Sequence, residues 1–393
     1  MAAFRSGLVR RFALVELLLQ TQFWFPVWYL FLRDLGYGIG IIVLVDALFR
    51  LMVVLCEVPM GIVADRLGRR PAYLAFGVLT VVTYLSVANV DTTAMLVGAW
   101  LLWGVQWAAA SGLGTAYLTE AVGRYQPDVG VLPALGVVRG AAGLAGCVSL
   151  ASAGALYHLD PRLPFLVTAG CALVAVPLIA TLPRTGAPEP TSSIRFSELR
   201  EVQTDRVLQA LLLCGGLVLF YGWSVTFLFQ PLVLAEGMSE QAAAWMYAGF
   251  AATGIVGSLA AAPAYRRLGL SAIGVGFAAM VLAVTGAALA SGVLAVLCVP
   301  VLGCCYYLSL TASEAAVAER AAASSRATAL SLVSAAAGLG IAAARPALGI
   351  AGAEWGTGVA LGAWAAVGVP LLLLLAWTVR RVSAESARVG CGA

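Results

Sequence analysis

Long apolar stretches separated by short polar segments are the dominant feature of the chain. A membrane-spanning helix needs about 20 mostly apolar residues, whereas the strands of a membrane barrel are about half as long and alternate in polarity. Twelve stretches meet the helical requirement, and they lie near 12–33, 38–61, 72–90, 93–118, 131–156, 162–182, 207–232, 239–263, 271–290, 293–313, 326–350 and 356–379. The pattern therefore predicts an all-α integral membrane protein with twelve transmembrane helices.

The longest polar segment, at 183–206, divides these spans into two sets of six. We predict an N-terminal six-helix bundle at 1–182, a linker at 183–206, a C-terminal six-helix bundle at 207–381 and a tail at 382–393. Two similar halves joined in this way are typical of secondary transporters, which hold their substrate near the middle of the membrane.

The arginines lie mainly in polar segments on one side of the predicted membrane. The even number of spans places both termini on that side, and the opposite loops hold only Arg33 and Arg162. The positive-inside rule therefore predicts that both termini and the linker are cytoplasmic. The absence of Lys and the abundance of Ala, Gly and Val suggest a bacterial genome, so we expect a multi-pass protein of the bacterial plasma membrane.

Composition excludes several classes of protein. Hydrophobic residues make up 62% of the chain and charged residues only 11%, with a mean hydropathy of +0.96, which is not the composition of a soluble domain. The net charge of +4 comes from short arginine clusters, so we expect no nucleic-acid partner. The chain has no CxxC pair, a single His at His158 and no GxxxxGK[ST] loop. We therefore expect no metal, cofactor, direct use of ATP or enzymatic activity.

A ten-residue motif lies between the second and third spans, from Gly61 to Arg70, and reads GIVADRLGRR. It resembles motif A of the major facilitator superfamily, which has Gly, three residues, Asp, a basic residue, any residue, Gly, Arg and a basic residue. Every specified position matches, at the place in the chain where that family carries the motif. With the twelve spans and the linker, the motif identifies the chain as a member of that superfamily, which implies the major facilitator fold.

The resemblance implies that the motif belongs to a conformational gate. The gate residues are Gly61, Asp65, Arg66, Gly68, Arg69, Arg70 and Glu120. The two glycines permit close packing and a tight turn. The family pattern implies that Asp65 accepts from the start of the eleventh span near Arg326, and that Arg69 pairs with Glu120. These contacts would hold the cytoplasmic side closed.

Three charged residues inside the apolar spans are candidates for proton coupling. Glu16 has no charged neighbour within one turn, and a lone carboxyl in apolar surroundings can carry a proton near neutral pH. Asp46 and Arg50 are one turn apart and can pair, so they are either a structural ion pair or part of the coupling.

Two further arginines have alternative interpretations. Arg139 pairs with Glu120 or another acid, or holds an anionic substrate. Arg345 is expected near the outer end of the eleventh span, where its side chain can extend to the headgroups.

The family resemblance implies that the first, fourth, seventh and tenth spans line a substrate cavity. The candidate cavity residues on these spans are Gln20, Trp24, Trp103, Gln106, Trp107, Tyr221, Gln230 and Tyr306. Aromatic rings with a few amides suit a flat lipophilic or weakly cationic ligand. Such rings also pack helices together and form interfacial belts, so packing is the alternative role.

These features predict a proton-coupled exporter of hydrophobic or amphiphilic small molecules that works by alternating access. Two patterns of related drug exporters are missing, since no Arg precedes Gln106 and the fifth span has no Gly-Pro step. The alternative is a nutrient uptake symporter or facilitator, and a non-transporting membrane sensor is less favoured. The expected partners are a small-molecule substrate, protons and the lipid bilayer, and we expect a monomer.

Overall fold

The predicted apolar spans form helices. The structure is a computed structural model that describes residues 5–185, 204–321 and 326–390. In these ranges the helices are α1 Gly7–Leu19, α2 Trp28–Asp34, α3 Ile39–Leu67, α4 Arg69–Ala88, α5 Thr93–Ala110, α6 Leu113–Tyr125, α7 Val131–Leu159, α8 Leu163–Ala180, α9 Arg206–Val225, α10 Phe229–Ala235, α11 Glu240–Leu268, α12 Ser271–Leu289, α13 Val293–Arg320, α14 Arg326–Trp355 and α15 Thr357–Gly390. Short 3-10 turns lie at Pro127–Val129 and Thr226–Leu228.

The first predicted span is not one continuous helix, which corrects the assignment of 12–33. It consists of α1 and α2 joined by residues 20–27. Pro26 lies in this connection, and proline has no N–H with which to continue a helix. The backbone N–H of Gln22, which lies beyond the end of α1, donates to Ser149 Oγ of α7, 2.9 Å away. A neighbouring helix can compensate a broken helix in this way inside a membrane.

Two other spans are also interrupted. The fourth span is divided into α5 and α6 at Ser111 and Gly112, and Gly112 has a φ of +68° that favours glycine. The seventh span passes from α9 to α10 through the 3-10 turn at Thr226–Leu228. The breaks expose backbone groups at membrane depth, where transporters commonly bind their cargo.

Several helices continue beyond the predicted spans. The segment Gly61–Arg70, predicted to be a loop, is helical except at Gly68, because α3 ends at Leu67 and α4 begins at Arg69. Gly68 has a φ of +85°, so a single glycine makes the tight turn. Charged residues need to leave the hydrocarbon, but they do not need to leave the helix. For the same reason α15 continues through the predicted tail to Gly390.

The chain forms two compact units. The first comprises Met1–Ser193 and Glu240–Ala248, and the second comprises Ile194–Ser239 and Gly249–Ala393. Most of the predicted linker, residues 186–203, lies outside the described residues. In the first unit α1 packs on α7, and α4 packs on α8. In the second unit α9 packs on α14, and α12 packs on α15. In each half, therefore, the first span packs on the fifth span and the third span packs on the sixth.

Glycines bring helices of the second unit into backbone contact. A Cβ added to Gly257 of α11 would overlap the backbone carbonyl of Cys304 in α13, and one added to Gly303 would overlap the carbonyl of Phe250. Small residues at such contacts let membrane helices approach closely enough for extensive van der Waals packing. Close helix packing thus explains the glycines at these two positions.

The outer surface is apolar. Large hydrophobic side chains are widely exposed, including Leu55 at 58%, Leu259 at 74% and Leu289 at 84%. Eleven helical stretches in the described residues are long and apolar enough to cross a membrane, and the broken first span adds one more. An apolar surface of this extent is suited to lipid.

Candidate functional site

The carboxylate of Glu16 lies at the centre of the candidate site. Glu16 is on α1 and only 9% exposed. Tyr73 of α4, which is 2% exposed, donates its hydroxyl hydrogen to the Glu16 carboxylate. Gln20, one turn later on α1, donates from Nε2 to Glu16 Oε2 at 3.1 Å. Both carboxylate oxygens therefore have a neutral hydrogen-bond donor, so Glu16 can be buried without a partner cation.

The break in the fourth span allows α6 to approach this carboxylate. Gly112 precedes α6, and Gly114 lies in its first turn. A Cβ on Gly114 would overlap Oε1 of Glu16. The first-turn N–H groups of a helix carry partial positive charge, which favours an anion beside them. A glycine at 114 thus lets Glu16 lie beside the positive end of α6.

A cavity of about 200 Å³ opens beside Glu16 in the first unit. Its polar lining comes from Glu16, Gln20, Thr115 and Arg139, and its apolar lining includes the rings of Phe12 and Phe76. In the described part of the chain, no group of three or more His, Cys, Asp or Glu side chains could hold a metal ion.

Arg139 of α7 is exposed in this cavity. Within the described residues its guanidinium makes no hydrogen bond or ion pair, and it is not within ion-pair distance of Glu16. Arg139 lies about 12 Å along α7 from Val131. A charged side chain within an apolar span usually faces a cavity or a partner, so an arginine at this position is expected to have a function.

The motif residues form a charge cluster within the first unit. Arg69 at the start of α4 lies between two acids, with Nη1 2.8 Å from Asp65 Oδ1 and Nε 3.2 Å from Glu120 Oε1. The Arg69–Glu120 pair implied by the family resemblance is thus present. Arg70 donates to the Ala180 carbonyl of α8. The cluster joins α3, α4 and α6, and through Arg70 it also reaches α8.

Two further expectations for the gate concern Asp65 and Gly61. The contact from Asp65 to the start of the eleventh span would lie next to residues 322–325, which are outside the described residues, so it stays a prediction. Within the described part of the chain a Cβ at Gly61 would meet no atom within 4 Å, so the close packing expected at Gly61 is not seen there. Arg66 lies in the last turn of α3, where a cation is favourable.

Comparison with known proteins identifies the family. The model of the Major Facilitator Superfamily matches residues 13–309, which is more than half of the chain. The chain belongs to the Major Facilitator Superfamily. No curated protein matches it in sequence.

Solved structures of this superfamily share the fold of the chain. A mutant of the nucleoside transporter NupG superposes with a TM-score of 0.80 at 16% identity, covering 95% of this chain and all of the other. An inward-facing bacterial homologue of the human lysosomal transporter Spinster gives 0.72 at 18% identity, covering 96% and 93%. A D-xylose-proton symporter gives 0.72 at 14% identity, covering 93% and 96%. At these identities the likeness establishes the fold alone. Membership of the superfamily, shown by the family model, indicates a membrane transporter rather than an enzyme.

Most aromatic cavity candidates in the first unit of this facilitator are packed against each other. Trp24 is 5% exposed and Trp103 is 3% exposed, with their ring centroids 4.3 Å apart. Trp107 is half-buried, with its ring 6.2 Å from Trp24. Gln106 donates from Nε2 to Thr80 Oγ1 at 3.0 Å. Of the five candidates on the first and fourth spans, only Gln20 lines the cavity beside Glu16.

The candidates in the second unit are also buried. Tyr221 is fully buried and stacks on Trp364, with ring centroids 5.5 Å apart and planes at 9°. Gln230 is 1% exposed and Tyr306 is 3% exposed. A contact of these residues with substrate stays a prediction.

The other predicted coupling residues lie on α3. Asp46 is 4% exposed and Arg50 is half-buried, with its guanidinium carbon 5.1 Å from the ring centroid of Phe49. Neither residue lines the cavity beside Glu16. Whether Asp46 and Arg50 are structural or functional stays open.

Arg345 does not extend to the headgroups, which corrects that expectation. It is 4% exposed, and its Nη2 lies 2.6 Å from Thr226 Oγ1 and 3.1 Å from the Trp223 carbonyl oxygen. The interruption of the seventh span frees acceptors at membrane depth, and a guanidinium with several donors can satisfy them. Arg345 therefore bonds to the break between α9 and α10.

Two residues of the site could not be identified from the sequence. Tyr73 reads as an ordinary aromatic residue of the third span, and its hydroxyl meets Glu16 only because α4 and α1 are neighbours in the unit. Gly114 is one of 43 glycines, and its role depends on the side chain opposite to it. Both contacts are long-range in sequence, so they depend on the tertiary packing of the facilitator fold.

Proposed function

We propose that this facilitator couples transport of a small molecule to the movement of a proton, and that Glu16 takes up and releases that proton. The observation that supports this is a nearly buried carboxylate, held by Tyr73 and Gln20, that borders a cavity. A carboxyl in such a place can be neutral or charged, and the cavity gives it a route for the proton.

The surroundings of Glu16 contain few competing charges. Tyr73 comes from α4, while α6 brings Tyr117 and Glu120, of which Glu120 already pairs with an arginine. The helix α8 has no charged residue, and α7 brings Arg139 to the cavity. Arg139 is therefore the charged side chain that shares the lining of the cavity with Glu16.

Two directions of transport are candidates. Export of hydrophobic or amphiphilic molecules is favoured by motif A and by the aromatic residues of the first and fourth spans. Uptake with protons is favoured by the polar lining of the cavity, and two structures of similar fold are those of a nucleoside transporter and a D-xylose-proton symporter. We propose export as the direction suggested by the sequence and retain uptake as the alternative.

The membrane topology and the gate are part of the same proposal. We place both termini on the cytoplasmic side of a bacterial plasma membrane, on the arginine distribution. The cluster of Asp65, Arg69 and Glu120 would then face the cytoplasm and stabilise one state of the alternating-access cycle. The unit of transport is proposed to be a monomer.

Proteoliposomes containing the full chain test the coupling. A pH gradient is imposed, a panel of amphiphiles and nutrients is added, and proton flux is recorded with an enclosed pH dye. Glu16→Gln keeps the size of the side chain and one acceptor oxygen but cannot exchange a proton. We expect this variant to lose gradient-driven accumulation while it keeps exchange of substrate at equal pH. Asp46→Asn is measured alongside.

The matched control is Asp160→Asn, because Asp160 is an exposed acid outside the cavity. It should behave as wild type. Accumulation driven by the pH gradient in Glu16→Gln would show that the coupling group is elsewhere. Sensitisation of cells to an amphiphile on loss of the protein would support export, whereas a growth defect on one nutrient would support uptake.

A further inference from the structure

The cavity beside Glu16 contains a second charged group that the proton reaction does not explain. Arg139 lines the same cavity of about 200 Å³ but forms no ion pair with Glu16. Glu120, an acid that could have neutralised Arg139, is already paired with Arg69. Within the described residues, Arg139 is therefore a cation that lines a cavity and has no protein partner.

We propose that Arg139 binds an anionic group of the transported molecule, a carboxylate or a phosphate. A guanidinium presents its N–H donors in a planar fork that matches both groups. The apolar rings of Phe12 and Phe76 line the same cavity and can cover the rest of a small molecule. The cavity has the size for a compact substrate with one charged end rather than for a large lipid.

The position of Glu16 gives this anion site a consequence for coupling, which rests on the proposed proton role of Glu16. Arg139 and Glu16 line the same cavity, so an anionic group held by Arg139 occupies the space from which we propose that Glu16 exchanges its proton.

The anion site can be tested by chemical modification of arginine in the intact protein. Phenylglyoxal modifies exposed arginines, and peptide mass spectrometry measures the rate at each one. The probes are four small aromatic molecules of similar shape: benzoate and phenyl phosphate as anions, benzamide as the neutral analogue and benzylamine as the cation. We expect at least one of the anions to slow modification of Arg139 roughly threefold or more, with no slowing by benzamide or benzylamine.

Arg124 serves as a control in the same molecule, because it is exposed at the end of α6 and does not line the cavity. Its rate should not respond to any probe. The anion concentration that gives half-maximal thermal stabilisation should rise roughly tenfold or more in Arg139→Gln. It should rise less in Arg139→Lys and stay unchanged in Arg124→Gln.

Equal protection by benzamide, or protection of Arg139 by neither anion, would overturn the anion site. The modification measurement uses wild-type protein, so it remains decisive even if Arg139→Gln does not fold. It also needs no pH gradient. Failure of the proton role of Glu16 would therefore appear as gradient-driven accumulation in Glu16→Gln, while protection of Arg139 by anions would still be seen.

Discussion

Gly114 and Glu16 are so close that no side chain fits between the backbone of α6 and the carboxylate. The left-handed conformation of Gly112 starts α6 at this point, so the approach is built into the break of the fourth span. Glu16 thereby lies against the first turn of a helix and beside the cavity at once.

Gly114→Ala should displace the Glu16 carboxylate and impair proton-driven transport. The added methyl group overlaps Oε1 of Glu16, so the carboxylate must rotate away from Tyr73 or α6 must move. We expect gradient-driven accumulation in proteoliposomes to fall about tenfold or more. Gly123→Ala is the matched control, since it lies on the same helix and a Cβ there meets no atom within 4 Å. Equal activity of the two variants would contradict the positioning role of Gly114.

Arg69→Gln should impair transport more than Glu120→Gln. Arg69 lies between two acids, so its neutralisation leaves Asp65 and Glu120 without the cation that separates them. Loss of Glu120 alone leaves Arg69 paired with Asp65. Because these groups are partly exposed, we expect only about 1 kcal/mol or less of stability to be lost in either variant. The rate of substrate exchange at equal pH on both sides measures the effect on the transport cycle. Thermal unfolding in detergent measures the effect on folding.

Thr226→Val should destabilise the protein although it keeps the shape of the side chain. The buried guanidinium of Arg345 bonds to Thr226 Oγ1 at 2.6 Å, and valine has no acceptor. Loss of one partner of a buried polar group costs about 1–3 kcal/mol. Thr226→Ser should recover most of the loss in thermal unfolding. Thr285→Val is the control, because the Thr285 hydroxyl bonds to the Val281 carbonyl of its own helix.

Asp205 should stabilise the start of α9 in a pH-dependent manner. Burial raises the pKa of Asp205, but the hydrogen bonds from Arg320 and from the Leu208 and Val207 N–H groups outweigh it, so the pKa is lowered from its ordinary 3.8. A carboxyl with a lowered pKa stabilises the fold above its ordinary pKa, and this contribution is lost as the pH falls through the folded-state value.

Two variants separate the charge of Asp205 from its capping role. Asp205→Asn keeps an N-cap acceptor but loses the charge, so its deficit should be small, about 1 kcal/mol or less, and should vanish as the pH falls below about 4. Asp205→Ala loses the cap as well and should cost about 1 kcal/mol more at every pH. A deficit of Asp205→Asn that grows on acidification would contradict the lowered pKa.

The order of hydrophobic and polar positions was sufficient to predict the fold. A backbone in lipid must satisfy its own hydrogen bonds, so each apolar run of sufficient length had to be helical. Motif A at Gly61–Arg70 added the family, and the family pattern added the pairing of Arg69 with Glu120. Glu16 was also identifiable, because a lone carboxyl in an apolar span is costly without a purpose.

Only the tertiary structure decided what surrounds Glu16. Its donors and neighbours are Tyr73, Gly114 and Arg139, which lie on α4, α6 and α7 and are far from it along the chain. The periodicity of a span shows that it is buried in lipid or protein, but a helix that is apolar on all sides does not reveal which face meets which neighbour. Helix packing therefore determined the partners of Glu16 and the burial of Arg345, because both depend on contacts between helices rather than on the helix itself.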